Sequence, residues 1–217
     1  MNSVHLVWAT TGAEEYITYC ARVSSPENQK NSETAPKLLR YCIKNRHWSI
    51  FMMANMCVEI NTTRDISAQF IRHTSISVQE FSTRYQDAGV LGTAQPPQLR
   101  RQDQKNRQNS IDDLDPEISK GYTDQIADLF DKSNELYTEM LNAGVAKECA
   151  RGILPLATPT RLFANANIRS WITYIALREK NGTQKEHQDL AKRIKVIFCN
   201  QFPIIAEALG GHGEWNI

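Results

Sequence analysis

The sequence lacks the motifs by which several common enzyme classes are recognised. It has no Gly-x-Gly-x-x-Gly and no Gly-x-x-x-x-Gly-Lys-Ser/Thr segment, which excludes a Rossmann dinucleotide fingerprint and a P-loop. It also has no Gly-x-Ser-x-Gly nucleophile elbow and no His-Glu-x-x-His zinc motif, and its five histidines are not at metal-ligand spacing. We therefore predict no metal site, and any dinucleotide must be bound by another architecture.

Cysteine is sparse and widely spaced. The five cysteines are odd in number and form no Cys-x-x-Cys pair, which argues against a disulfide framework and against a zinc site. The first Lys or Arg is Arg22, so the N-terminus lacks the charged region of a secretory signal. No stretch approaches the roughly 18 apolar residues of a membrane span. We predict a soluble, cytoplasmic protein with no membrane partner.

The charges of the chain nearly cancel. Lys and Arg number 25 and Asp and Glu number 24, so the net charge is +1, which argues against nucleic-acid binding driven by bulk phosphate attraction. Hydrophobic residues make up 41% of the 217 residues, as in chains that bury a core. We predict one domain over residues 1–217 and no nucleic-acid partner.

Hydrophobic periodicity predicts strands and helices that are interspersed without a regular βα repeat, which is typical of an α+β domain. Strands are predicted at 4–8, 54–61 and 161–165. The segment 89–115 is predicted to be an exposed, mobile connection, and its basic run from Arg100 to Arg107 either lies in solvent or docks an anionic ligand. Helices are predicted through Tyr16, Ile17, Cys20 and Ala21, at 33–45, at 63–73 with Thr63 as cap, from Pro116 to Gly144 with Asp115 as cap, from 146 to Pro155, through Trp171, Ile172 and Ile175 with Asn167 as cap, and around Leu190, Ile194 and Phe198.

The densest polar segment is 69–85. Gln69 and Arg72 are one turn apart, so the end of a helix can present an amide and a guanidinium together. Arginines flank Glu80 and Ser82 on both sides, an arrangement that suits a phosphate held by charged forks. The alternative is a surface salt-bridge cluster around Glu80.

Two further arginines lie outside this segment. Arg178 follows Trp171 and Ile175 by seven and three residues, so it shares the inward helix face and requires an anion. The alternative is an arginine that offsets the macrodipole at a helix C-terminus. Arg151 is either a second anion-binding residue or the partner of Glu148.

The run Arg72-His73-Thr74, seven residues and Ser82 resembles the signature of flavin-dependent thymidylate synthases, which is Arg-His-Arg, seven residues and Ser. The resemblance implies a single α+β domain, with helices on a small, largely antiparallel sheet, and a homotetramer whose sites are shared between subunits. Thr74, Thr83 and Thr173 depart from the family pattern, and we expect them to alter FAD binding. Further blocks in the family order are HWSIF at 47–51, ARGILPL at 150–156, NIRSW at 167–171 and LREKNGTQKEH at 177–187.

The resemblance implies that the protein converts dUMP to dTMP, with methylenetetrahydrofolate as one-carbon donor and NADPH as reductant through FAD. A methyltransferase of this kind needs no protein nucleophile, because the flavin carries the hard chemistry. The other thymidylate synthase class uses a cysteine that follows a proline, and no cysteine here does so. Two alternatives are a cysteine-dependent methyltransferase and a non-catalytic nucleotide- or RNA-binding module that uses the arginines.

The same resemblance assigns roles to individual residues. Arg178 is expected to stabilise the pyrimidine as its N3 loses a proton, and Ser82 is a second catalytic position, as a ligand donor and not a nucleophile. His47 is expected near folate and flavin. The dUMP positions are Gln69, Arg72, Glu80, Ser82, Thr83, Arg84, Arg151 and Arg178, and the FAD positions are Ser49, Arg72, His73, Thr74, Glu80, Asn167 and Arg169.

Overall fold

A four-stranded antiparallel sheet forms the centre of the computed structural model, which describes residues 2–215 and 217. The three predicted strands are confirmed and are each somewhat longer than expected, while β3 was missed because it is short and not buried. The strand order is β1-β2-β6-β3. The strands of this sheet are β1 (Ser3–Ala9), β2 (Asn55–Thr63), β3 (Ser77–Glu80) and β6 (Pro159–Asn167), and a separate hairpin consists of β4 (Arg101–Gln102) and β5 (Ser110–Ile111).

The predicted helices are confirmed, with small differences at their ends. Asp115 caps the longest helix, of 27 residues, by accepting from Glu117 N at 2.9 Å and Ile118 N at 3.1 Å. The prediction that the Thr63 side chain caps its helix is wrong, because its hydroxyl donates to the Asp65 carboxylate. The helices are α1 (Ala13–Ala21), α2 (Ala35–Lys44), α3 (Arg64–Phe70), α4 (Pro116–Asn142), α5 (Lys147–Ala150), α6 (Ile168–Arg178), α7 (Lys185–Gln201) and α8 (Pro203–Leu209).

The core lies on one face of the sheet. Met56, Val58 and Ile60 alternate along β2 and are fully buried, as their period of two predicts. They belong to one apolar cluster with the inward faces of α6 and α7, whereas Phe163 on the opposite sheet face is 43% exposed. The buried Trp171 donates from Nε1 to the Met56 carbonyl at 2.9 Å, which fixes α6 against the central strand. The α+β prediction is confirmed.

The segment 89–115 contains more regular secondary structure than the sequence predicted. It begins in the short helical turn Ala88–Leu91 and contains the β4–β5 hairpin. The prediction that it is wholly exposed is wrong for Arg100, whose side chain is only 11% exposed and pairs with Glu186 at 2.7 Å. Its mobility stays a prediction.

Helix α4 leaves most of its apolar stripe uncovered. Of its residues only Tyr137 is buried, and its hydroxyl accepts from Ala88 N at 3.1 Å. Within the described residues, no helix combines the length and apolar character that a membrane crossing requires. Cytoplasmic location stays a prediction. The exposed apolar residues of α4 are Ile118, Tyr122, Leu129 and Leu136.

A buried ion pair secures the end of α6. Glu179, the residue after α6, lies 2.7 Å from Lys195 Nζ on α7, and both side chains are almost completely buried. Trp215 N donates to the same carboxylate at 3.0 Å, and the Trp215 ring lies 4.6 Å from the Lys195 ammonium. The pair therefore joins α6, α7 and the segment around Trp215.

We predict that Lys195→Met destabilises the protein by about 3–5 kcal/mol, because it leaves the Glu179 carboxylate buried without its cation. The matched control is Lys185→Met on the same helix, whose exposed pair with Asp189 at 3.6 Å contributes at most about 0.5 kcal/mol. Chemical denaturation measures both variants. Equal stability of the two would contradict the importance of the buried pair.

Candidate functional site

The turn that follows β3 gathers residues expected to hold a phosphate. The backbone N–H groups of Tyr85 and Gln86 donate to the Ser82 carbonyl at 3.1 and 2.9 Å and close the turn. Arg151, just after α5, donates from Nη1 to the Thr83 hydroxyl at 3.3 Å. The structure thus brings together a hydroxyl-bearing turn and a guanidinium from a distant part of the chain.

Arg84 extends from the same turn toward α5. Its Nη2 lies 3.4 Å from Glu148 Oε2, so the suggestion that Glu148 pairs with Arg151 is wrong. The Arg84 and Glu148 side chains are 66% and 57% exposed, and an ion pair in such surroundings contributes little to stability. Arg84 can therefore exchange this carboxylate for the anion of a ligand at small cost.

Glu80, at the end of β3, lies between α3 and β6. Its Oε1 accepts hydrogen bonds from the hydroxyls of Ser67 and Thr160, each at 2.9 Å. The alternative of a salt-bridge cluster is wrong, since no cation of the described residues pairs with this carboxylate. The two hydroxyls fix the carboxylate and leave Oε2 without a protein donor in this part of the chain.

Arg178, the last residue of α6, meets the segment that follows α3. Its Nε donates to His73 Nε2 at 2.8 Å. Within residues 2–215 and 217 it has no carboxylate partner, so the anion predicted for this arginine is not supplied by the described protein. A neutral imidazole holds the guanidinium in place instead, and its terminal nitrogens remain available to a ligand.

The groups around Arg178 are neutral at physiological pH. Burial, and then the Arg178 cation, lower the pKa of His73 to about 4. Burial, Arg178 and His73 lower the pKa of His187 to about 3. Burial also raises the pKa of Tyr174, although Arg178 opposes that rise. Arg178 is therefore the charged member of this cluster, and its field is not cancelled by these neighbours.

Gln69 joins the same cluster through His187, a residue that was not predicted from the sequence. Its Oε1 lies 3.3 Å from His187 Nδ1, and the rings of His187 and His73 are 6.4 Å apart. Gln69, His73 and Arg178 are thus brought together at the ends of α3 and α6. His187 lies inside the block 177–187, which was the one available signal for it.

Three of the predicted flavin positions, Ser49, Asn167 and Arg169, lie near the start of α6. Asn167 accepts from Ser170 N at 2.9 Å, which confirms its predicted capping role. Arg169 Nη1 lies 3.7 Å from Met52 Sδ, at the end of the short helical turn Trp48–Met52 that carries Ser49. His47 immediately precedes this turn, and both Ser49 and His47 are exposed.

A cavity of about 420 Å³ lies beside this group. Arg46, Arg169 and Lys180 line it, and none of the three pairs with a carboxylate of the described residues. Trp48 and Thr173 also line the cavity. Its volume is in the range of ligand pockets, and its cations and aromatic ring fit part of an anionic, aromatic cofactor such as FAD. The sequence analysis did not identify Arg46 or Lys180.

Some predicted residues stay apart in one protomer. Arg72 and Thr74 are exposed, and neither side chain bonds to another described residue. Within residues 2–215 and 217, no three His, Cys, Asp or Glu side chains cluster as a metal site requires. Most of the other candidate residues form three groups, which surround Arg178, the Ser82 turn and the start of α6, and do not line one closed pocket.

Comparison with known proteins identifies the family. The family model described as thymidylate synthase complementing protein matches residues 5–204. A probable flavin-dependent thymidylate synthase of Paramecium bursaria Chlorella virus 1 is 53% identical over 197 residues, which cover 91% of this chain and 90% of the relative. The chain belongs to the flavin-dependent thymidylate synthase family. A member of this family from a Synechocystis strain is 50% identical over 202 residues, with 93% and 90% covered.

Membership confirms the family predicted from the run between Arg72 and Ser82. It also confirms the predicted activity class, a methyltransferase that makes thymidylate and depends on a flavin. It favours this enzyme over the cysteine-dependent methyltransferase and over the non-catalytic binding module.

The fold is shared with a solved structure. The UMP/dUMP methylase PolB from Streptomyces cacaoi, bound with 5-Br dUMP, has a TM-score of 0.84 and 22% sequence identity, with 99% of this chain and 97% of that chain covered. Its structure bound with 5-Br UMP also gives a TM-score of 0.84, at 21% identity. At this identity the likeness shows that the fold is shared.

The neutral histidines predict acid sensitivity. At mildly acidic pH the unfolded chain binds protons on these residues before the folded protein does. Their contribution to stability is therefore complete above about pH 6.5 and is lost as the pH falls toward about 4 for His73 and about 3 for His187. Each can add up to about 1.4 kcal/mol per pH unit to this loss.

Replacing His187 by Phe should make stability less dependent on pH in this range. Denaturant unfolding at a series of pH values measures the slope, and His5→Gln is the control because His5 is exposed on β1. An unchanged slope in His187→Phe would mean that His187 takes up its proton at the same pH in the folded and unfolded protein, which would contradict its lowered pKa.

Proposed function

We propose that the protein converts dUMP to dTMP, with methylenetetrahydrofolate as the one-carbon donor and NADPH as the reductant through FAD. The observation that carries this proposal is the uncancelled charge of Arg178, which a neutral His73 holds beside Gln69. A pyrimidine that loses its N3 proton develops negative charge, and a fixed cation stabilises that anion more than the neutral base. Arg178 is thus the proposed catalytic residue.

The Ser82 turn is the proposed phosphate site. Arg84 extends from the turn itself, and Arg151 reaches the turn from the end of α5, where it is hydrogen-bonded to Thr83. Charged forks of this kind bind phosphate oxygens strongly. Ser82, which is exposed beside them, acts as a ligand donor, since no base and orienting group adjoin its hydroxyl among the described residues.

The flavin side of the site comprises Ser49, Asn167 and Arg169, with His47 nearby. When bound, FAD supplies the hydride chemistry of the reaction. The cations around the 420 Å³ cavity suit its phosphate groups, and they offset the missing cation at Thr74. The Oε2 atom of Glu80, which lacks a protein donor in the described chain, is the proposed contact between nucleotide and flavin.

A homotetramer of single-domain subunits is the proposed assembly. Four apolar residues of α4 are exposed in a single chain, and an apolar helix face left in solvent favours an interface with another subunit. The three groups of site residues also remain open in a single chain. A second subunit that packs on α4 would cover the apolar stripe and supply further walls to the site.

The activity is tested by anaerobic incubation of the protein with FAD, NADPH, methylenetetrahydrofolate and dUMP, followed by detection of dTMP. We expect Arg84→Ala and Arg178→Ala each to weaken dUMP binding by about ten- to a hundredfold, because each removes a charge-assisted contact. The controls are the five single Cys→Ser variants, which should bind dUMP and make dTMP normally. A folded Cys→Ser variant without activity would contradict the flavin mechanism.

A further inference from the structure

A chain of polar contacts connects Gln69 to the segment 89–115. Arg100 Nη2 lies 2.7 Å from Glu186 Oε1 and 3.0 Å from Oε2. Gln184 Nε2 donates to Glu186 Oε2 at 3.0 Å, and Gln69 Nε2 donates to Gln184 Oε1 at 2.6 Å. This series of polar contacts ends at His187, whose Nδ1 lies 3.3 Å from Gln69 Oε1.

The Glu186 carboxylate determines the direction of the hydrogen bonds between it and His187. A carboxylate only accepts, so Gln184 must turn its amide nitrogen to Glu186 and its carbonyl to Gln69. Gln69 must then donate to Gln184 and turn its own carbonyl to His187. His187 must carry its proton on Nδ1. One charge thereby selects the orientation of two amides and the tautomer of one imidazole.

Arg100 holds the Glu186 carboxylate in place through contacts to both of its oxygens and helps to keep it ionised. Burial raises the pKa of Glu186, but a bond from its own backbone N–H and bonds from Arg100 and Gln184 outweigh burial and lower that pKa. Arg100 is itself fixed, because its Nε donates to the Ser110 hydroxyl at 2.9 Å. Without the guanidinium the carboxylate loses the two contacts that hold it toward Gln184 and is free to rotate, and it also takes up a proton more readily. The orientation of Gln184 is then no longer determined.

We propose that Arg100 is a positioning residue for the nucleotide site. Through Glu186 and Gln184 it holds the Gln69 amide in a single orientation, with one N–H and one carbonyl lone pair left for dUMP. The inference rests on the proposed function, because Gln69 is assigned to the dUMP site there. It gives the basic run a role that is neither solvation nor direct contact with a ligand.

The test is calorimetric titration of the FAD-loaded protein with dUMP. Arg100→Met should weaken dUMP binding by about three- to tenfold, the effect of one poorly oriented hydrogen bond, and Arg100→Lys should retain most of the affinity. Arg101→Met is the matched control, because the neighbouring Arg101 pairs with Asp113 in the same hairpin and is exposed. It should bind dUMP like the wild type.

A double-mutant cycle separates positioning from general destabilisation. If Arg100 acts through Gln69, Arg100→Met has no further effect on dUMP binding in a Gln69→Ala background. Additive losses would overturn the proposal, as would wild-type affinity in Arg100→Met. Should Arg100→Met fail to fold, Glu186→Gln tests the same point, since it removes the ionised acceptor at nearly constant shape.

A second measurement does not require dUMP. The ¹⁵N resonances of histidine-labelled protein should show His187 protonated on Nδ1 in the wild type and a mixture of tautomers in Arg100→Met. An unchanged tautomer in Arg100→Met would overturn the inference and leave the proposed function intact. Failure of the wild-type protein to bind dUMP would instead count against the proposed function.

Discussion

The hydrogen bond from Arg178 to a neutral His73 is the interaction on which the proposed site depends. A guanidinium placed among apolar and aromatic groups would ordinarily need a carboxylate partner. Here burial keeps the nearby imidazoles uncharged, so the arginine is held without being neutralised. Its charge is therefore available to a substrate whose own negative charge develops during the reaction.

The position of Arg178 is well defined, because the chain is anchored both before and after it. Upstream, the Trp171 indole bonds to the central strand. Downstream, the next residue, Glu179, is fixed by the buried Lys195. The end of α6 is thus held at two points within the core, and the imidazole of His73 is brought to it from the end of α3. Rigid placement of this kind reduces the reorganisation that the site must undergo when charge appears.

The sequence pattern predicted those features that depend on neighbouring residues, such as the buried face of a strand and the start of a helix. The alternation along β2 identified its buried face, and Asp115 before a proline identified the start of α4. The inward position of Arg178 also followed from helical spacing. Partners distant in sequence were not predictable in this way, because tertiary packing selects among several chemically equivalent pairs. Glu148 pairs with Arg84 and not Arg151, and Arg100 is largely buried although its neighbours in the basic run are exposed.

The function, too, was predictable from a local motif, whereas the contacts between distant residues of the site were not. The run from Arg72 to Ser82 identified the family, and the comparisons confirm it. It could not reveal His187 or the contacts of Gln184, since these depend on where α7 lies relative to α3. Nor could it show that the nucleotide and flavin residues are divided among three groups in one protomer. Those features come from the fold.

We propose that the charge of Arg178 stabilises the N3 anion of the bound pyrimidine. The most direct measurement is the ¹⁵N shift of N3 in labelled dUMP, followed as a function of pH while the nucleotide is bound at saturation to the FAD-loaded protein. We expect N3 to lose its proton at lower pH in the wild-type complex than in free dUMP, and we expect Arg178→Met to abolish this difference. The same N3 pKa in the wild-type and Arg178→Met complexes would contradict the claim.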